Sequence, residues 1–303
     1  RMSRGLGDVY KRQIVERAAK LTGQKTVILI DEYDKPLLQN MTNAVQQEHF
    51  RNSLKAFYSV LKTQDRYIEF ALLTGVTKFS KVSVFSDLNN LNDISMDRSY
   101  ATICGITEEE IDTCFKDSVE ELARTNGLTI EETQARLKEL YDGYHFTPTS
   151  AGIYNPFSVL CTFSKQEFNN YWFETGTPTF LAEMLKNFKY RLPDLTKEQV
   201  TADVLNSIDS TSLNPVPIIY QSGYLTITGY NERFKRYRLG FPNKEVEEGF
   251  LNFLLPSYAP VEAKSEFDII EFVNDVETGN PQQFMERLRT LFADTDYKIV
   301  GNA

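Results

Sequence analysis

The sequence contains few of the residues that build metal or disulfide sites: three cysteines and two histidines among 303 residues. Cys104, Cys114 and Cys161 are too few and too widely spaced for a disulfide framework or a zinc cluster. They suit a reducing compartment, so we expect a cytoplasmic protein. We expect His49 at the surface of a long helix and His145 as a hydrogen-bonded structural group, so neither histidine indicates a metal site or a catalytic triad.

Long apolar runs and excess positive charge are also missing. No apolar run approaches the roughly 18 residues of a membrane span, and the first residues lack the apolar core of a secretory signal. The net charge is −9. Nucleic-acid surfaces depend on Lys and Arg to neutralise phosphates, so nucleic acid is an unlikely partner in general. A local basic patch stays open.

The segment at residues 26–36 gives the strongest functional signal that is present. The apolar run Thr26–Ile30 predicts a parallel strand buried on both faces, and it ends in Asp31 and Glu32. Ligands of open α/β sheets bind at the carboxyl ends of strands, where a carboxylate can hold magnesium against nucleotide phosphates. The pattern therefore predicts a Walker B strand, with Asp31 directed at magnesium and Glu32 at the attacking water.

A second strand predicted at residues 67–73 ends at Thr74 and Gly75. Helical spacing over residues 44–62 places a long helix between the two strands, which gives a strand–helix–strand crossover unit. Thr74 should therefore lie beside Asp31 at one sheet edge. Its hydroxyl either senses the terminal phosphate or, in the simpler interpretation, caps the turn at Gly75.

The irregular polar stretch after this strand contains Lys78. Long connections beside a site are often functional, so Lys78 is a candidate phosphate ligand. A solvated surface lysine is an equally good interpretation of the same residue.

The acidic residues at 31, 32 and 34 have two other interpretations. Grouped carboxylates also bind the metals of nucleases, although such sites need further ligands that do not stand out here. Alternatively, Asp34 caps a turn before Pro36 while the other acids are solvated. We favour the nucleotide interpretation, since acids directly after a buried strand suit a ligand site.

No phosphate loop of the form G-x-x-x-x-G-K-[S/T] occurs in the sequence. Residues 1–13 resemble translated adaptor sequence, so we leave them out of the fold prediction and expect the missing loop to reflect a truncated chain. We expect a helix from residue 14 to 21, ending at Gly23.

From Thr107 onward the patterns are mainly helical. Helix starts are predicted at the capping box of Thr107 with Glu110, near Thr129, and at Pro156 and Pro178. Residues 218–222 form a helix that turns through Gly223 into an alternating strand, and residues 237–239 pair with that strand as a hairpin; residues 242–255 are helical again. A helix followed by a two-stranded wing suggests a winged-helix-like module, which binds DNA or packs against partner domains, and the acidic balance favours packing.

The predicted fold class is α/β: a partial P-loop NTPase parallel sheet followed by a mainly helical, winged-helix-like region. The predicted domains are a partial ATPase core at residues 14–106, the helical region at 107–256 and a helical tail at 257–303. In the tail, two helices are predicted from Asp268 to Ala293, with a break at residues 279–281.

Residues 27–36 resemble the signature of the bacterial AAA-ATPase-like family. The resemblance spans about residues 14–256 and continues through the blocks at residues 73–83, 88–95, 141–144, 155–158, 171–178 and 220–227. It implies ATP and magnesium as ligands, with ATP hydrolysis by the parent protein. Members commonly carry a Gly-Lys-Ser type loop before the Walker B strand and a nuclease-like domain of the PD-(D/E)XK superfamily after the helical region; neither motif is present here.

Two other functions stay open. In the first, ATP acts as a switch, and the helical part docks a protein partner or a fused nuclease-like domain with little turnover. In the second, the acidic cluster is a metal-dependent nuclease that needs no ATP.

Overall fold

The structure is a computed structural model that describes residues 3–40, 43–78, 85, 91–172, 199–206, 214–258, 275 and 278–294. The chain folds into two compact units, Arg1–Phe253 and Leu254–Ala303. The architecture is mixed α/β, with a small parallel sheet and many helices. The three domain boundaries predicted from sequence remain predictions.

The first unit begins with a strand–helix–strand arrangement. Helix α1 (Ser3–Thr22) is followed by β1 (Thr26–Ile30), the short α2 (Lys35–Leu38), α3 (Ala44–Thr63) and β2 (Ile68–Leu73). Strands β1 and β2 pair in parallel, with Ile30 opposite Leu73. The predicted crossover unit is confirmed, but α1 begins about three turns earlier than the predicted start at residue 14.

The parallel sheet is buried on one face. Ile28 and Ile30 of β1 pack against a core whose buried members are Leu37, Tyr58, Leu61 and Ile218. On the other face Val27 and Leu29 are 59% and 71% exposed, and Phe70 of β2 is 53% exposed. The prediction of a strand buried on both faces is therefore wrong. Successive strand residues point to opposite faces, and α2 and α3 supply core residues to one face only.

Four helices follow the sheet: α4 (Glu108–Cys114), α5 (Lys116–Asn126), α6 (Ile130–Tyr141) and α7 (Pro156–Lys165). The helix starts predicted at Thr107 and near Thr129 are confirmed. Each is a capping box, formed by Thr107 with Glu110 and by Thr129 with Glu132. Asn155 caps α7, with Pro156 at its first turn. The helices enclose an apolar core made of Ile106, Ile111, Val119, Leu122, Leu137, Tyr141, Tyr154, Val159 and Phe163. The predicted start at Pro178 lies outside the described residues.

A three-stranded antiparallel sheet completes the first unit. Its strands are β3 (Gln199–Val200), β4 (Thr226–Asn231) and β5 (Arg236–Gly240), in the order β3-β5-β4; α8 (Ala202–Asn206) and α9 (Val216–Gln221) lie between β3 and β4. Gly223, at φ +83, turns the chain from α9 into β4. The predicted turn and hairpin are confirmed. The winged-helix assignment remains a prediction, and β3 was not predicted.

Helix α10 (Lys244–Tyr258) follows β5, starting two residues after the predicted Pro242. In the second unit, α11 (Pro281–Asp294) follows Gly279, which has φ +67, so the predicted break is confirmed. The start of the first tail helix, predicted at Asp268, lies outside the described residues. Among the described helices, none is long and apolar enough to cross a membrane.

Candidate functional site

The carboxyl ends of β1 and β2 bring Asp31 and Thr74 into direct contact. The Thr74 hydroxyl donates a hydrogen bond to Asp31 Oδ1 over 2.5 Å. The strand ladder fixes this geometry, because the Thr74 amide donates to the carbonyl of Ile30 and the Tyr33 amide donates to the carbonyl of Thr74. The predicted juxtaposition of these two side chains is therefore present, at a solvent-exposed sheet edge.

Glu32 follows Asp31 in a left-handed conformation, at φ 51. A non-glycine residue costs about 1 to 2 kcal/mol there, and such strain is concentrated at functional sites. The Glu32 carboxylate accepts a hydrogen bond from Lys35 Nζ at 2.6 Å, and both side chains are about half exposed. This bond and the charge of Glu32 raise the pKa of Lys35. The exposed pair is weakly held, so Glu32 can exchange Lys35 for another partner.

Asp34 is fully buried and holds the loop that follows β2. Its carboxylate accepts hydrogen bonds from the Val76 amide at 3.2 Å, and from the amide and hydroxyl of Thr77, each at 2.5 Å. Asp34 occupies the cap position of α2, but its side chain makes no capping bond there. The interpretation of Asp34 as a turn cap is therefore wrong, since its side chain binds a different segment.

Gly75 lets this loop pass close to the acidic turn. A Cβ atom at position 75 would collide with Asp34 Oδ1 and would lie 2.7 Å from the Tyr33 ring. The Tyr33 hydroxyl in turn donates to the carbonyl of Thr77 at 2.9 Å. Burial, with the negative charge of Asp34, raises the pKa of Tyr58 to about 12. The loop beside Thr74 is thus fixed by the acidic turn after β1.

Lys78 follows Thr77 in this loop and contacts side chains from further along the chain. Its ammonium forms an ion pair with Asp93 and donates to Asn206 Oδ1 at 3.2 Å. Its backbone amide donates to Gln221 Oε1 at 2.5 Å. Burial alone would raise the pKa of Asp93, but hydrogen bonds from Lys78 and Ser95 outweigh burial and leave the pKa below its usual value. Lys78 therefore links the sheet edge to α8 and α9.

Sequence reasoning missed Asp34 and Gln221 as contacts of this loop. The side-chain amide of Gln221 bridges two segments, because its Nε2 donates to the carbonyl of Leu205 at 2.6 Å while its oxygen accepts from Lys78. The available signal for Asp34 was the Gly75 to Thr77 sequence after a parallel strand. No comparable signal marks Gln221.

The two histidines lie in the structural surroundings that the sequence predicted. His49 is exposed on α3, and His145 Nδ1 lies 2.9 Å from the carbonyl of Ser150. The three cysteines are free thiols. Within the described ranges, no group of three or more His, Cys, Asp or Glu side chains forms a metal site.

A comparison with known families finds a match over the first part of the chain. Residues 7–85 match the model of the AAA-ATPase-like family, whose description is "Predicted AAA-ATPase". This match supports a P-loop ATPase class at a coarse level. Asp31, Glu32, Thr74 and Lys78 all lie inside the matched segment.

One curated relative extends the similarity beyond the sheet. It is the "Uncharacterized protein in vnfD 5'region" of Azotobacter chroococcum mcd 1, which is 40% identical over 251 residues. The alignment covers 82% of this chain and 46% of the relative, so the chain spans about half the relative's length. No solved structure matches the chain.

Proposed function

We propose that this chain is part of a magnesium-dependent ATPase whose site is built on the carboxyl ends of β1 and β2. The observation that supports this most directly is the 2.5 Å hydrogen bond between Thr74 and Asp31 at that edge. It places a carboxylate and a hydroxyl, one from each of two neighbouring parallel strands, where α/β sheets bind ligands. The match of residues 7–85 to the AAA-ATPase-like family points to the same class.

The donor atoms at this edge suit magnesium and phosphate. Magnesium prefers oxygen ligands and commonly uses one or two carboxylates, completing its shell with waters and substrate phosphates. Both hydrogen bonds recorded for Asp31 fall on Oδ1, from Thr74 and from the Glu32 amide. Among the described residues, Oδ2 has no hydrogen-bond partner. Asp31 therefore has an oxygen available for a hydrated magnesium ion.

The residues have distinct roles in this proposal. Asp31 orders the magnesium, which neutralises charge on the triphosphate when bound. Glu32 leaves Lys35 and accepts a hydrogen bond from the attacking water. The Thr74 hydroxyl, which donates to Asp31 in this structure, turns to donate its one proton to the terminal phosphate. Lys78 contributes positive charge after leaving Asp93. Phosphoryl transfer then depends on positioning and charge neutralisation.

The role of Glu32 is tested by Glu32→Gln in the full-length gene product. We expect ATP turnover, measured as phosphate release, to fall about 100-fold or more, the usual contribution of a positioned general base. Binding of a fluorescent ATP analogue with magnesium should change little. Asp31→Asn should instead weaken magnesium-dependent binding about tenfold, the size of one charge-assisted contact.

Glu69→Gln is the matched control, because Glu69 is an exposed acid on β2 that pairs with Lys25 at 3.8 Å. It should leave both binding and turnover unchanged. Unchanged turnover in Glu32→Gln would remove Glu32 from the mechanism. If the ATP analogue binds equally well without magnesium and in Asp31→Asn, the proposed metal site is wrong.

A second candidate function is an ATP-gated interaction module with little turnover. It is favoured by the hydrogen bonds that join Lys78 to Asn206 and Gln221, since they connect the loop after Thr74 to α8 and α9. A change at the phosphate-sensing edge could then reposition the helical region. The partner in this case is a separate protein or a fused nuclease-like domain.

This module would compact on binding ATP without rapid hydrolysis. We expect the radius of gyration of the full-length protein, measured by small-angle X-ray scattering, to fall with magnesium and ATP. Gln221→Ala should abolish most of that change, because it removes the bridge from Lys78 to Leu205. Gln134→Ala is the control, because it removes a side-chain hydrogen bond from Gln134 to Asp112 that lies at the surface. Compaction that persists in Gln221→Ala would exclude this coupling route.

A further inference from the structure

The hairpin of β4 and β5 concentrates positive charge in an acidic protein. Between residues 230 and 240 there are four basic side chains and a single acid, Glu232, whereas the whole chain has a net charge of −9. The basic residues are Arg233, Lys235, Arg236 and Arg238, and all four are exposed. The hairpin therefore carries a positive charge, opposite in sign to the net charge of the chain.

Two of the basic side chains, Arg236 and Arg238, have defined neighbours in the sheet. Arg238 lies across Gly229 on the neighbouring strand, where a Cβ atom would come within 2.6 Å of its Nη2. Arg236 Nη1 donates to the carbonyl of Gln199 on β3 at 2.8 Å. Alternation along β5 puts both on one face of the sheet. Within the described part of the chain, none of the four basic residues forms an ion pair, so their charge is available to an anionic partner.

An aromatic ring stands beside this charge at the hairpin tip. Phe234 is 59% exposed, and the guanidinium of Arg233 lies over it at 5.2 Å from the ring centre. An exposed aromatic ring with one guanidinium beside it provides a surface on which a nucleobase can stack.

We propose that the β4–β5 hairpin binds a nucleic-acid strand. Arg236 and Arg238 contact consecutive phosphates, for which the planar guanidinium with its forked donors is well suited. Phe234 stacks on a base, and Arg233 and Lys235 add positive charge at the tip. Asp and Glu side chains of an acidic peptide could pair with the same charges but carry no ring to stack on Phe234, so the exposed ring favours nucleic acid. This proposal is independent of ATP binding.

Fluorescence anisotropy with a labelled single-stranded oligonucleotide of about 16 nucleotides tests the proposal on the full chain. We expect binding at about 50 mM salt that weakens steeply toward about 200 mM. The double variant Arg236→Gln with Arg238→Gln should lower affinity at least tenfold. It should also reduce the salt slope by about 1.4, since each single-strand phosphate contact contributes roughly 0.7.

Phe234→Ala separates stacking from charge. It should weaken binding about fivefold or more, the usual range for one stacked base, with an unchanged salt slope. Arg236→Lys with Arg238→Lys keeps the charge and should restore part of the affinity. The matched control is Lys116→Gln with Arg124→Gln, which removes the same charge from exposed positions on α5. Circular dichroism verifies that each variant is folded.

Three results would overturn the proposal. They are an absence of binding at the lower salt concentration, equal affinity for a poly-glutamate peptide of matched charge, and unchanged affinity in the Arg236 and Arg238 double variant. Equal affinity for the acidic peptide would assign the hairpin to an acidic protein partner instead. A duplex of the same sequence distinguishes single-strand from double-strand preference.

Discussion

Replacement of Asp34 by alanine is expected to lower the free energy of unfolding by about 3 to 5 kcal/mol. The Asp34 carboxylate accepts three hydrogen bonds from Val76 and Thr77 inside the protein. The substitution removes the carboxylate that accepts these bonds, so the Val76 and Thr77 amides lose their hydrogen-bond acceptor. It also creates a cavity, because Asp34 is fully buried.

Urea denaturation followed by circular dichroism measures this loss. Asp34→Asn keeps the shape and one acceptor oxygen, so it should cost less than Asp34→Ala. The control is Asp117→Ala, an exposed acid in the first turn of α5, which should change stability by about 0.5 kcal/mol. If Asp34→Ala and Asp117→Ala have similar effects, Asp34 does not hold the loop after β2.

Replacement of Glu245 by alanine is also expected to lower the free energy of unfolding by about 3 to 5 kcal/mol. Glu245 is fully buried in the first turn of α10. Its two carboxylate oxygens lie 2.7 and 3.0 Å from the Ser158 hydroxyl, and the Trp172 amide donates to it at 2.8 Å. One side chain thus joins α7, α10 and the segment at Trp172.

Fluorescence during urea denaturation reports this region directly, because Trp172 is the sole tryptophan and packs against Tyr224 at 5.2 Å. Glu245→Gln retains an acceptor for one of the two donors and should lose less stability. Glu247→Ala, exposed on the same helical turn, is the matched control. A loss below about 1 kcal/mol in Glu245→Ala would show that Ser158 and Trp172 find other acceptors.

Most helices and strands of the first unit follow from local sequence signals. The apolar run at Thr26–Ile30, the helical spacing of α3 and the capping boxes at Thr107 and Thr129 each act within a few residues. The start of α1 was predicted too late because residues 1–13 were set aside as foreign sequence. Local signals therefore predict most of these elements, but they place the starts of α1 and α10 imprecisely and do not reveal β3.

The meeting of Asp31 with Thr74 was also predictable, since adjacent parallel strands bring their carboxyl ends to one edge. The burial of β1 on both faces was not a safe prediction. The alternation of side chains along a strand shows which residues share a face. Whether that face is buried depends on another element packing against it. Val27 and Leu29 are apolar and exposed, which their own sequence context does not reveal.

The sequence by itself determined the secondary structure around the site and the pairing of an acid with a hydroxyl at the strand ends. Only the tertiary structure decided which buried carboxylates organise the molecule. Asp34 binds Thr77 across 43 residues, and Glu245 binds Ser158 across 87. Such partners depend on how separate elements pack, because a buried charged group is stable only where the folded chain delivers its hydrogen-bond donors.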